Sequence, residues 1–334
     1  MIRMNLGANS YNIEIERGGL SKASQYFDLN RRVMIITDEG VPAEYAEKIA
    51  EQCRIAYIKV VPQGEGSKSF QTVEEILKDM LEFQFSRKDC VVAVGGGVVG
   101  DLAGFVASLY MRGIDFYNVP TTVLSQVDSS IGGKTAVNLA GIKNIVGAFH
   151  QPKAVLIDSD TLNSLSQRQV VNGLMEAVKV GATNDKALFD IFVNDDWKEH
   201  LDDIIEKALL VKKYVVEEDE KESHLRKILN YGHTIGHGFE SAAKGSYLHG
   251  ECVGLGMLYM CSDEVKEQLL KIYEKLGFKV PDQSEFQIDA VKEAITHDKK
   301  ASSSKCSVVY VSEIGNGIIE EWDMNAVLDR LERE

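Results

Sequence analysis

Through the first half of the chain, short runs of consecutive apolar residues alternate with amphipathic stretches. Residues 1–17 switch between polar and apolar positions like a pair of strands, and a helical run follows near Gly19 to Phe27. Val33 to Thr37 (VMIIT) reads as a buried strand, Pro42 to Gln52 as a helix and Arg54 to Val61 as another strand. A polar loop, Glu65-Gly66-Ser67-Lys68-Ser69, leads into an amphipathic helix ending near Phe83. Cys90 to Val94 is a third buried strand that runs straight into Gly95-Gly96-Gly97. Alternation of this kind predicts a parallel sheet with helices on both faces.

From about Asp160 the pattern changes to the helical period. Ser166 to Thr183, Lys198 to Glu217, His224 to Lys244 and Gly250 to Leu276 read as helices, and Pro281 to Ser284 as a break. Ser307 to Val311 and Gly317 to Glu321 form a late hairpin pattern around Gly315-Asn316-Gly317, and the chain closes in a helix. The expected organisation is an α/β domain over residues 1–160 and a mainly α-helical domain over 161–334.

One helical stretch carries the wrong residues for a core. Read as a helix, Arg226, Asn230, His233 and His237 share a single stripe. Burying such groups without partners costs roughly 2–7 kcal/mol each. A third imidazole, His249, follows a short Gly-Ser break. Two histidines one turn apart plus a third returned by a turn can bind a metal, or can simply cap and hydrogen-bond. The arginine and asparagine on the same stripe point to an anionic ligand beside them. Glu176 and Lys179 lie at i, i+3 on one face of the helix QVVNGLMEAVKVG. As an isolated pair they read as a surface salt bridge worth little. The apolar neighbours on both sides point instead to an interior face, where Glu176 would supply the carboxylate that a set of histidines needs.

The glycines suggest a nucleotide. Gly95-Gly96-Gly97-Val98-Val99-Gly100 matches the dinucleotide fingerprint, after a strand and opening a helix, where backbone N–H groups approach a pyrophosphate. It departs from the usual fingerprint because the acid expected about twenty residues on is missing. The ribose-binding acid is instead upstream, Asp38, directly after VMIIT. A tightly packed βα turn without ligand is the alternative. Gly132-Gly133-Lys134-Thr135 resembles the end of a P-loop but fails, because Asp128 stands where that loop requires glycine. What remains is a glycine-rich loop carrying Asp128, Lys134, Lys143 and Asn144. It reads either as a solvated loop or, from its glycines and strand-end position, as one wall of a ligand pocket.

Composition adds limits. The 334 residues, 44% hydrophobic and 26% charged, describe a globular protein with ample core. A net charge of −14 disfavours nucleic acid and anionic membranes as partners, so an anionic substrate needs a local cluster of lysine and arginine. The five cysteines form no CxxC and read as reduced core thiols, and neither a signal peptide nor a membrane span is visible. The expected location is the cytoplasm.

Taken together, the run from Gly95 to Asp158 (GGGVVGDLAGFVASLYMRGIDFYNVPTTVLSQVDSSIGGKTAVNLAGIKNIVGAFHQPKAVLID), GLMEAVKVG, LRKILNYGHTIGHGFES, YLHGE and DKK resemble 3-dehydroquinate synthases over essentially the whole chain. The resemblance implies a Rossmann-like NAD domain followed by a helical metal domain. It implies Glu176, His233 and His249 as ligands to Zn2+ or Co2+. Asp38, Glu65, Lys68, Gly96, Gly97, Asp101, Thr121 and Thr122 would hold NAD, with Lys134 and Lys143 bordering it. Asp128 and Lys179 would serve the C5 hydroxyl of 3-deoxy-D-arabino-heptulosonate 7-phosphate. Lys134, Asn144, Asn230, His237 and Arg112 would hold its phosphate, and Lys212 and Arg226 its carboxylate. Lys143 and one of Lys299 and Lys300 would complete the pocket. Arg112 would reach the partner's site in a homodimer. The implied reaction is transient oxidation by NAD, phosphate elimination, re-reduction and an intramolecular aldol closure. The alternatives are another sugar-phosphate cyclase, such as a 2-deoxy-scyllo-inosose synthase, and a metal- and NAD-dependent polyol dehydrogenase.

Overall fold

The computed structural model describes residues 1–299 and 305–332, and the chain divides into two compact units, Met1–Ser166 and Gln167–Glu334. Among the described residues, the first unit is built on a seven-stranded sheet. Its strands are β1 (Ile2–Met4), β2 (Tyr11–Ile15), β3 (Arg32–Asp38), β4 (Ile55–Val61), β5 (Cys90–Gly95) and β6 (Asp115–Pro120). A separate hairpin of β7 (Lys134–Leu139) and β8 (Ile142–Phe149) comes next, and β9 (Ala154–Ile157) then returns to the sheet. The strands lie in the order β1-β2-β9-β6-β5-β3-β4, parallel throughout except for the β1–β2 pair.

Helices α1 (Ala43–Ala50), α2 (Phe70–Glu82) and α3 (Gly97–Leu109) supply the crossovers. Alternate residues of β3 serve opposite faces, as a two-residue period requires. Met34 and Ile36 join Val73 and Ile76 of α2 and Leu102 and Val106 of α3. Val33 and Ile35 join Leu20, Tyr45 and Ile49 on the other side. The chain moves outward from β3 to β4, then jumps back past β3 to β5. That reversal opens a crevice at the carboxyl ends of β3 and β5, where open α/β sheets take ligands. Asp38 ends β3 and Gly95 ends β5.

The second unit is mainly helical. It contains α4 (Gln167–Asn184), α5 (Lys186–Asn194), α6 (Leu201–Glu218), a 3-10 segment (Leu225–Asn230), α7 (His233–Ala243), α8 (His249–Tyr259), α9 (Asp263–Leu276) and α10 (Ile288–Lys299). The hairpin of β10 (Lys305–Glu313) and β11 (Asn316–Asp323) and a short α11 (Met324–Leu328) follow. No helix among the described residues is long and apolar enough to cross a membrane.

Two helices expected to be continuous are broken. The stripe from Arg226 to His237 is not one helix: the 3-10 segment ends at Asn230, and Gly232, at φ 76°, redirects the chain before α7. Upstream, the Asp219 carboxylate accepts the backbone N–H groups of Ser223, His224 and Arg226 at 2.8, 2.6 and 3.0 Å and holds the turn that opens the 3-10 segment. The stretch from Gly250 to Leu276 is also two helices. Between them, Ser262 N–H donates to Val311 O and Met260 O accepts from Val311 N–H, so β10 draws the connection into a bridge. Helices α7 and α8 meet at backbone distance, because a side chain on Gly256 would place its Cβ 2.1 Å from the Gly232 carbonyl oxygen.

Candidate active site

In the second unit, α4, α7 and α8 converge on one cluster. His233 and His237 stand one turn apart at the start of α7, and His249 opens α8. A nitrogen of each of these three imidazoles lies within 4.8 Å of the others. Glu176 and Lys179, buried on α4, complete the group. Lys179 Nζ donates to Glu176 Oε2, while Oε1 faces His233 Nε2 at 3.8 Å and His249 Nε2 at 3.6 Å. That Oε1 is buried and has no hydrogen-bond partner among the described residues. A buried acceptor without a donor costs about 1–3 kcal/mol, more if charged, so this atom marks a place where something else belongs.

The two imidazoles that face Glu176 are each turned by a hydrogen bond on the far nitrogen. His233 Nδ1 bonds the Tyr231 carbonyl at 3.1 Å, and His249 Nδ1 bonds Glu240 Oε2 at 2.9 Å. Their electrostatics differ. Burial and the nearby Lys179 cation hold His233 well below the ordinary imidazole value. At His249 burial is outweighed by the carboxylates of Glu176 and Glu240, which lift it to about 9. Burial alone would raise Glu176, but Lys179 and then the imidazoles hold it well below the usual carboxylate range. A neutral imidazole, a second whose proton a cation can displace, and an ionised carboxylate make a nitrogen–oxygen donor set that suits Zn2+ or Co2+.

Local structure fixes His249 from several directions. Gly250 N–H donates to Asn172 Oδ1 at 2.7 Å, locking the first turn of α8 onto α4. Glu251 accepts the Leu248 N–H at 2.8 Å and a two-pronged pair from Arg168 at 2.6 and 2.7 Å. None of Asn172, Arg168 and Glu240 was among the expected site residues. The signals were present, since Asn172 is four residues before Glu176 and Glu240 seven after His233, each at helical same-face spacing.

The remaining residues of this unit stand around that core. Arg226 is buried, its Nη1 donating to the Glu220 carbonyl at 2.5 Å. Asn230 Nδ2 donates to Glu222 Oε1 at 2.9 Å. Lys212 is buried on α6, which packs against α4 and the Arg226 segment. Lys299 ends α10, but its side chain, like the whole of Lys300, lies outside the described residues.

In the first unit a second cluster gathers at the carboxyl ends of β3 and β5. Asp38 is largely buried, and burial raises its carboxyl despite hydrogen bonds from the Gly40 and Val41 N–H groups. Gly96 caps α3 and Gly97 begins it. Thr121 N–H donates to the Gly95 carbonyl at 2.9 Å, and Thr122 Oγ1 and Ser125 Oγ lie 2.7 Å apart. Ser129 Oγ, beside Gly97, is buried with no hydrogen-bond partner among the described residues. Lys68 is the hub of this side: Nζ contacts Asp101 Oδ2 at 2.7 Å, Glu65 Oε1 at 3.5 Å and the Asn144 side-chain oxygen. Glu65, Lys68, Asp101 and Asn144 are thus brought together, and Asn138 ties the β7–β8 hairpin to them through Glu65 Oε1 at 2.9 Å.

Asp128 lies in a half-buried π-helical turn, Ser125–Ser129, a form often found at functional sites. Lys134 and Lys143 are exposed on the hairpin. Arg112 is exposed just beyond α3, in left-handed backbone at φ 71°. The thiols offer no nucleophile: four of the five are buried, and burial pushes Cys90 up to about 12.

Two family models match this chain. Residues 58–172 match the model described as 3-dehydroquinate synthase N-terminal, and residues 173–301 the one described as 3-dehydroquinate synthase C-terminal. The 3-dehydroquinate synthase of Streptococcus sanguinis is 38% identical over 354 aligned positions, with 99% of each chain covered. The chain belongs to the 3-dehydroquinate synthase family. Among solved structures, a 2-deoxy-scyllo-inosose synthase complexed with carbaglucose-6-phosphate, NAD+ and Co2+ superposes with a TM-score of 0.89 at 25% identity, covering 99% of this chain and 98% of that one. A 2-epi-5-epi-valiolone synthase from Streptomyces hygroscopicus, with NAD+ and Zn2+ bound, gives 0.85 at 25% identity and 96% coverage of both chains. This chain therefore shares its fold with a 2-deoxy-scyllo-inosose synthase and a 2-epi-5-epi-valiolone synthase.

Proposed function

We propose that this chain is a cytoplasmic enzyme that converts 3-deoxy-D-arabino-heptulosonate 7-phosphate into 3-dehydroquinate and inorganic phosphate, using NAD and a divalent cation. One observation carries the reading: Glu176 Oε1, a buried carboxylate oxygen without a hydrogen-bond partner, faces two imidazole nitrogens at 3.8 and 3.6 Å. We assign Glu176, His233 and His249 as ligands to Zn2+ or Co2+. His237 stands beside them as a polar partner for the substrate phosphate. A cation held there supplies the charge that makes neighbouring substrate hydroxyls easier to deprotonate.

In the first unit the buried, unpartnered Ser129 Oγ, the Gly96–Gly97 opening of α3 and Asp38 beyond β3 fit a dinucleotide. Thr121, Thr122, Glu65, Lys68 and Asp101 border it, with Lys134 and Lys143 on the hairpin. NAD there supplies a reversible hydride acceptor. Asp128 and Lys179 take and return the proton of the substrate's C5 hydroxyl. Lys134, Asn144, Asn230, His237 and Arg112 hold the phosphate. Lys212 and Arg226 hold the carboxylate, the guanidinium as a planar fork, with Lys143 and one of Lys299 and Lys300 completing the set. Two buried cations, Lys212 and Arg226, favour a substrate with a carboxylate over a neutral-ring sugar phosphate.

We further propose a homodimer in which Arg112 enters the partner's site. Leu109 and Met111, 44% and 40% exposed beside it, give that edge of the first unit an apolar surface suited to a second copy.

Phosphate release from the heptulosonate phosphate, measured with and without a chelator, tests the reading. Chelator-sensitive release with no net growth at 340 nm is expected. Turnover of glucose 6-phosphate instead identifies an inosose cyclase, and stoichiometric NADH a polyol dehydrogenase.

A further inference from the structure

Glu240 does not belong to the ligand set, yet it is aimed at it. It stands on α7, seven residues after His233 and therefore on the same face, with its Oε2 2.9 Å from His249 Nδ1. Its side chain is 17% exposed and that of His249 33%, so the contact is largely sheltered from competing water. We propose that Glu240 is the positioning residue of the metal centre: its carboxylate accepts the His249 Nδ1–H, fixes the ring's rotation and tautomer, and leaves Nε2 as the donor directed at the cation. This rests on the assignment of His249 as a ligand.

The geometry separates the two imidazoles. His233 gives its Nδ1–H to a main-chain carbonyl, which no side-chain substitution can remove. His249 gives its own to a carboxylate on a neighbouring helix. A carboxylate partner makes the imidazole a stronger donor to a cation, and outer partners of this kind typically govern affinity by 10- to 100-fold. His249 also lies at the first position of α8, where the ring has no preceding helical turn to pack on. Its aim is therefore set by Glu240 on one side and by the Gly250–Asn172 lock on the other.

The test uses full-length protein stripped of metal and titrated with Zn2+ against a chromophoric chelator. Glu240→Ala and Glu240→Gln are compared with the parent chain, together with thermal midpoints of the metal-free forms. The parent is expected to bind one Zn2+ per chain. Glu240→Ala should bind about 10- to 100-fold more weakly. Glu240→Gln, whose amide oxygen still accepts the Nδ1–H, should recover part of that loss. Metal-free midpoints of the two variants should stay close to each other, and the visible spectrum of the Co2+ form should change in the alanine variant alone. Parental affinity in Glu240→Ala overturns the proposal. So does equal weakening in both variants accompanied by a common fall in metal-free midpoint, which describes a merely structural residue. If the parent itself takes up no Zn2+ at one per chain, the ligand assignment fails first and this inference with it.

Discussion

The α-carbon of Gly250 rests against the carbonyl of Asn172. A side chain there would put its Cβ 1.9 Å from that oxygen, while Gly250 N–H already donates to the Asn172 side chain at 2.7 Å. Neither backbone can yield without moving a helix, α4 with Glu176 or α8 with His249. Gly250→Ala is expected to lower stability by at least the roughly 1–3 kcal/mol of an overpacked core and to abolish stoichiometric zinc. Urea unfolding and metal analysis of the purified variant check both.

The Glu176–Lys179 pair is buried, and removing one partner leaves the other uncompensated. Glu176→Gln is expected to destabilise the metal-free protein by about 3–5 kcal/mol. Adding Lys179→Met should recover part of the loss, because the stranded cation goes with it. Urea titrations of the two single variants and the double variant measure the coupling. Strict additivity would refute it.

At Arg226 the expected effect is selective. Arg226→Lys keeps the charge but loses the planar fork, so the KM for the heptulosonate phosphate should rise tenfold or more, in keeping with about 1.5–3 kcal/mol for hydrogen bonds to charged groups. Affinity for NAD should hardly change. Comparable losses for both ligands would contradict the placement of Arg226 at the substrate.

Asp219, which is not among the proposed metal ligands, gives a pH signature. Burial alone would raise its carboxyl, but the N–H groups of His224, Arg226 and Ser223 and the Ser223 hydroxyl hold it far below the unfolded value of about 3.9. A depressed folded value means the stabilisation is complete above the unfolded value and drains away as pH falls through the folded one. Asp219→Asn sets an amide N–H against those donors. The gap in urea midpoint between parent and variant should be wide at pH 7 and narrower near pH 3. A gap that does not change with pH would remove the charge from the explanation.

Much of the first unit was legible because its strands are continuous apolar runs and its helices amphipathic. VMIIT and CVVAV are buried on both faces, as a parallel sheet demands. The order of acid first and glycine turn later became intelligible once β3 and β5 proved to be neighbours. The β7–β8 hairpin escaped notice because it lies outside the main sheet and its exposed Ile142 and Ile145 blur the alternation. In the second unit, composition showed the helices but not their breaks. The turn that opens the 3-10 segment depends on Asp219, and the break before α9 on Val311 in a distant strand; neither is encoded in local period. Site residues were visible where polar side chains interrupt an apolar face, as at Glu176. Asn172 and Glu240 carry the same-face spacing too, but it shows only which face they share, not the partners they hold, Gly250 N–H and His249 Nδ1.

The near-contact of main chains at Gly232 and Gly256 separates two kinds of tolerance in this molecule. Where helices are spaced by side chains, a smaller or larger residue changes their separation by degrees. Here the spacing is a hard stop of carbonyl against α-carbon, with no rotamer to adjust. Mutations in the surrounding apolar core should therefore weaken the whole fold long before they alter the distance between the two histidine-bearing helices, whereas a single methyl group at this crossing would force them apart at once.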